Sequence, residues 1–183
     1  MTWWKRLIWV GCAFLALALY VLPMLFQQLA ITYQFPKQWT IVLGLLLIFL
    51  VLLVFVAVAK KTGILSQSGK IFQQGDGKRI ALGLLGMLLI SVLGTVLLRW
   101  LHGEVTTANQ ASLMEEFRRG DVILLSIMLG VLAPIAEEII FRGIIPLKIF
   151  KGYESWGYII GGLLFSIFHG PTNIMSFVIY GGA

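Results

Sequence analysis

Long apolar runs separated by short polar stretches make up most of the chain. A helix rises 1.5 Å per residue, so about 20 mostly apolar residues cross ~30 Å of hydrocarbon. Residues 7–26, 40–59 and 80–98 are three such runs. A fourth apolar region, 122–150, carries Glu137, Glu138, Arg142 and Lys148 inside it. Residues 156–169 form a fifth, and 174–183 is apolar but too short to cross alone. The pattern predicts an all-α fold: a polytopic transmembrane helix bundle, one domain over 1–183, with about five full spans and a truncated sixth. On the third run, Gly83, Gly86 and Gly94 are small packing positions, and Gly157-x-x-x-Gly161 on the fifth lets two helices approach closely.

Between the third and fourth runs the chain is polar but patterned. Ser112-x-x-Glu115 has the form of a capping box, and Glu115 and Arg119 are an i,i+4 pair, so a short surface helix is expected within 99–121. The stretch 73–77, Gln-Gln-Gly-Asp-Gly, reads as a turn.

Composition agrees with the pattern. Of 183 residues, 59% are hydrophobic and 12% charged, against about 45–50% and about 25% in a soluble domain. The net charge of +6 raises the question of a nucleic-acid partner. The basic residues, however, fall in short loops between apolar runs, where they orient a chain in the lipid bilayer. Lys5, Arg6, Lys60, Lys61, Lys70, Lys78, Arg79, Lys148 and Lys151 share one side if the spans alternate, nine in all, against Lys37, Arg99, Arg118 and Arg119 on the other. That bias predicts a cytoplasmic N-terminus, and no nucleic-acid partner is expected. Trp3, Trp4, Trp39, Trp100 and Trp156 stand at span ends, as an aromatic belt requires. The single cysteine, Cys12, reads as a packing residue. It lies too close to Lys5-Arg6 for a signal h-region to precede it, and the first run reads as a retained helix.

The chemistry is concentrated in the fourth region. An ionisable residue inside a span costs about 2.5–3.5 kcal/mol on insertion scales, and Glu137, Glu138 and Arg142 fall within six residues. Glu138 and Arg142, i,i+4, share a helix face and can pair, which fits a structural ion pair as well as a functional one. Glu137 is rotated by about 100° and sits with Pro134 and Phe141. A carboxylate in such surroundings is suited to take a proton from water. Glu115-Glu116-Phe117-Arg118-Arg119 has similar letters but lies in a polar loop, and reads as a solvated helix face. The fifth run ends with Phe165 and His169, i,i+4 on one face, before Gly170-Pro171 stops the helix. His169 and Glu137 reach similar depths if the fourth span proper starts nearer Leu129.

Glu137-Glu138-x-x-x-Arg142 followed by Phe165-x-x-x-His169 resembles the CAAX protease and bacteriocin-processing (CPBP, or Abi) family of intramembrane proteases. That family's motifs are E-E-x-x-x-R, F-x-x-x-H and, on a later span, H-x-x-x-N or H-x-x-x-D. The resemblance covers about 133–173, together with the hydropathy pattern. It implies that Glu137 is the general base activating water, that Glu138 and Arg142 support it, and that His169 helps to hold the water or a metal. Phe141, Phe165 and Asn173 then lie near the site as substrate or packing residues. Members are commonly described as metalloproteases, which implies Zn2+ on His169 and Glu137; a metal-free glutamate mechanism is the other expectation. A catalytic zinc takes three protein ligands, and His102, near the outer end of the third run, lies apart from the others. His169-x-x-x-Asn173 matches the third motif by letters but overlaps the second and crosses Gly170-Pro171, so it reads as coincidence. The third motif is expected beyond Ala183.

The leading expectation is a membrane-embedded endopeptidase in a bacterial plasma membrane. It would cleave a peptide bond of a peptide or protein substrate: prenylated CAAX proteins in eukaryotic members, peptides or leader sequences in bacterial ones. The alternatives are a bacteriocin-immunity or peptide-binding protein without catalysis, an inactive fragment, and a transporter or scaffold using Glu137 to bind a proton.

Overall fold

The computed structural model describes residues 2–65, 75–103 and 106–181, with the side chains of Asp76 and His102 outside that set. All elements among these residues are helical: α1 Trp3–Thr32, α2 Lys37–Lys61, α3 Asp76–His102, α4 Ala108–Arg119, α5 Val122–Ile149, α6 Glu154–Phe168 and α7 Ile174–Gly181. α1, α2, α5 and, over Gly77–Leu101, α3 are long and apolar enough to cross a membrane. The 15 residues of α6 reach only ~22 Å, so the fifth run is shorter than a full span. Of the expected turn, Gln73 and Gln74 lie outside the described residues, as do Lys70, Glu104 and the last two positions of the sixth run.

The helices gather into two compact units. The first holds α1, α2 and Glu115–Gly161. α1 and α2 form an antiparallel hairpin, closed by Gln34 at φ 51° and by Phe35 N–H donating to Ala30 O at 2.9 Å. α5 lies along both. Its start meets the start of α2, where Lys37 and Asp121 pair at 3.7 Å and Leu124 fills the notch left by Gly44. Asp121 also caps α5, accepting from the amides of Ile123 and Leu124 at 3.0 and 3.2 Å. At the opposite end, Lys148 Nζ donates to Thr62 O at 2.5 Å, just past the end of α2. There Arg6 of α1 donates to Ile149 O at 2.8 Å and Lys151 O at 3.0 Å. Two of the basic residues counted toward orientation are therefore also hydrogen-bonded to carbonyls at helix ends, where cations are favoured. The core lies between α2 (Ile48, Val51, Phe55, Ala59) and α5 (Leu124, Leu132, Ala136, Ile140).

α5 is not a regular α-helix. Met128–Leu132 and Glu138–Ile149 are π-helical, with amides donating five residues back, as Ala133 does to Met128 and Phe150 to Ile145. Pro134 and Pro146 have no N–H and each deletes a rung of the α ladder, which favours the wider register. α6 returns against this segment. A Cβ on Gly157 would lie 2.5 Å from Pro146 Cα, and one on Gly161 would lie 2.5 Å from the Phe141 carbonyl oxygen. The Gly-x-x-x-Gly face makes the close approach expected of it.

The second unit holds α3, α4 as far as Met114, and the chain from Gly162. Of the three packing positions expected on α3, Gly94 is a contact point, with the Ile179 side chain within 2.4 Å of its Cβ position; among the described residues nothing lies within 4 Å of a Cβ at Gly83 or Gly86. α4 forms where a surface helix was predicted, but its cap is different. Thr107 and Gln110 make the reciprocal capping box, each backbone N–H donating to the other's side chain at 3.3 Å. Ser112-x-x-Glu115 lies inside the helix, because Thr107 offers an earlier start with the same chemistry.

Candidate functional site

In the first unit, α5 carries the first motif at an α-to-π junction, a geometry recurrent at functional sites. Glu137 ends the α-helical segment Ala133–Glu137 and Glu138 opens the π-helical one. Arg142 Nη1 donates to Glu138 Oε2 at 2.8 Å, the pair expected from the spacing, and both side chains are exposed at the surface of the chain. Glu137 is half-buried. Its Oε1 accepts from the hydroxyl of Tyr20 in α1 at 3.2 Å. The two adjacent carboxylates are thus engaged by different partners, one by a guanidinium on its own helix and one by a phenol on another. Phe141 is buried, and its carbonyl is the atom that Gly161 abuts.

The second motif is built within the second unit. His169 Nδ1 lies 2.9 Å from Phe165 O. A carbonyl only accepts, so Nδ1 carries the proton and, in the neutral imidazole, the lone pair belongs to Nε2. The Phe165 ring packs at 4.3 Å from the His169 ring, and Tyr180 of α7 stacks on it at 4.6 Å and 20°. The Tyr180 hydroxyl is hydrogen-bonded to Thr107. The helix ends as predicted, with Gly170 in the left-handed region at φ 58° before Pro171.

Asn173 has a structural task. Its Oδ1 accepts from Ser176 N–H at 2.8 Å, and its own N–H donates to Ser176 Oγ at 3.1 Å. It caps α7.

Glu137, Glu138, Phe141 and Arg142 therefore belong to the first unit and Phe165, His169 and Asn173 to the second. Two partners were not foreseen. Tyr20 had a signal: a lone phenol in an apolar run must find a partner for its hydroxyl. Tyr180 had none. The similar letters at 115–119 behave as a helix surface at Glu115, whose Oε1 meets Arg119 at 2.6 Å. Glu116 departs from that reading. Partial burial raises its carboxyl above the ordinary range, and a hydrogen bond from Gln28 of α1 opposes the shift.

Among the described residues no group of three or more His, Cys, Asp or Glu side chains comes together. A catalytic zinc takes three protein ligands, so the described residues do not by themselves assemble such a centre.

Residues 119–183 match the family model of the type II CAAX prenyl endopeptidases, Rce1-like. The chain is also similar to the UPF0177 protein YvdC of Lactococcus lactis, 30% identical over 103 residues. That match covers 56% of this chain and 39% of YvdC, so the chain spans about two fifths of that relative's length. No solved structure matches it. Both motifs lie inside the matched segment, and with four membrane-length helices among the described residues the chain is a multi-pass membrane protein that over residues 119–183 is similar to the type II CAAX prenyl endopeptidases.

Proposed function

We propose that this protein is a membrane-embedded endopeptidase that hydrolyses a peptide bond with water activated by Glu137. The separate engagement of the two motif glutamates carries the reading. Glu138 is bound to Arg142, which fits a supporting role, while Glu137 accepts at its Oε1 from the neutral hydroxyl of Tyr20. In the reaction a water O–H bond breaks and its proton passes to the Glu137 carboxylate. The water oxygen bonds to the peptide carbon, and the carbonyl π pair moves onto its oxygen. Collapse of that adduct expels the amine, which takes the proton back from Glu137. For His169 we keep the role implied by the family, helping to hold the water, and its Nδ1-protonated tautomer suits an accepting Nε2. The bond cleaved lies near the cytoplasmic leaflet of a bacterial plasma membrane, with the N-terminus cytoplasmic. The substrate is a peptide or leader sequence, the class implied for bacterial members, with prenylated CAAX proteins the class of eukaryotic ones.

The test is cleavage of such peptides by the protein in nanodiscs. Removing a general base costs about 10²–10⁴-fold, so Glu137→Ala should lose activity by that factor, with losses also in Glu138→Ala and His169→Ala. Unchanged cleavage in Glu137→Ala would defeat the catalytic reading and favour peptide binding without hydrolysis.

A further inference from the structure

Tyr20 lies outside the segment that matches the family model, yet it is bonded to the carboxylate read here as the base. A phenol at mid-helix in a membrane span has few polar groups within reach of its hydroxyl, so the choice of partner is energetically important. The partner comes from a helix 117 positions away in sequence. α1 is tied to α5 at a second point, where Arg6 meets the carbonyls of Ile149 and Lys151. Arg6 precedes Tyr20 on α1 while Ile149 follows Glu137 on α5, the order that antiparallel helices require, so one pairing of the two helices serves both contacts.

From this we infer that Tyr20 is a positioning residue for Glu137, its hydroxyl holding Oε1 so that the carboxylate keeps one orientation for proton transfer at Oε2. A carboxyl group turns about its last side-chain bond over a broad, two-fold profile, and a single directional hydrogen bond removes that freedom. A phenol does this without bringing a charge, which an arginine in the same place would. The inference rests on the reading of Glu137 as the base.

The test uses Tyr20→Phe, which keeps the ring and removes the hydroxyl, in the full chain in nanodiscs. The first readout is infrared difference spectroscopy on protein with carboxyl-13C glutamate. The band that disappears in Glu137→Gln should shift in Tyr20→Phe and stay in place in Tyr33→Phe. The second is cleavage of an internally quenched farnesylated peptide. Turnover should fall about 10-fold or more with KM unchanged, as loss of orientation predicts. A Glu137 band unmoved by Tyr20→Phe overturns the inference. So does unchanged turnover in Tyr20→Phe beside an inactive Glu137→Gln. If Glu137→Gln cleaves as well as wild type, the protease reading fails by itself, and the infrared band alone decides whether Tyr20 holds the carboxylate.

Discussion

Gly161 and Gly162 are neighbours on α6 with opposite surroundings, and this makes a sharp test of how α6 is seated. An alanine Cβ at 161 would lie 2.5 Å from the Phe141 carbonyl oxygen, whereas at 162 the nearest atom among the described residues is Gly181 O at 3.9 Å. Real Cβ atoms essentially never come closer than 3.0 Å, so Gly161→Ala must part the helices by at least 0.5 Å. The clashing atom is backbone and cannot rotate away. Overpacking of this kind costs about 1–3 kcal/mol, while replacing an unconstrained helical glycine with alanine gains about 0.5–1 kcal/mol. That gain is common to both positions, so Gly161→Ala should be less stable than Gly162→Ala by the overpacking cost, about 1–3 kcal/mol. Unfolding of the purified variants in mixed micelles with increasing SDS reads the difference. Two variants within ~0.5 kcal/mol of each other, the usual spread for substitutions that touch nothing, would show that α6 does not press on α5 as described. Because the strained atom belongs to Phe141, Gly161→Ala should also lower any Glu137-dependent activity.

Arg6→Gln removes a charged donor from two carbonyls; with one contact exposed, a loss of about 1–2 kcal/mol is expected in the same assay, and unchanged stability would show that the tie is ornamental. Asn173→Ala should fray α7, with faster amide exchange at Ser176 and a loss of about 1 kcal/mol, whereas Asn173→Ser keeps a capping oxygen and should behave as wild type. If Ser proves as damaging as Ala, the amide does something a cap does not. Glu116 offers a pH test. Its carboxyl is raised by burial, so its ionisation opposes folding: the folded state is favoured while Glu116 is protonated, and that advantage fades as pH rises through the carboxylate range. Glu116→Gln should therefore melt with wild type at about pH 4 and above it at pH 7; a gap independent of pH would contradict the burial.

Features with a fixed sequence offset were legible in advance. Glu138 with Arg142, Phe165 with His169, and Glu115 with Arg119 are all i,i+4 contacts, and the spacing alone brings them together. The Gly157–Gly161 face was legible because small residues admit a neighbouring backbone, although not which backbone. Contacts that depend on helix register in three dimensions were not: Tyr20 with Glu137, Arg6 with Ile149, and Tyr180 with His169. The π-helical stretches also escaped notice, since a proline in a span announces a lost rung but not how the chain absorbs it. The capping box at 112–115 failed for a different reason, because two sites matched the same letters and the earlier one started the helix.

The tie between Arg6 and the end of α5 also bears on how the protein is made. Arg6 is synthesised 143 positions before the Ile149 carbonyl it binds. At about 5–20 residues per second, α1 waits roughly 7–29 s in the membrane before this anchor exists. During that interval Arg6 must be satisfied by lipid headgroups or water, and α1 is not yet held in register. A nascent chain stalled before Ile149 would leave α1 unanchored at this end.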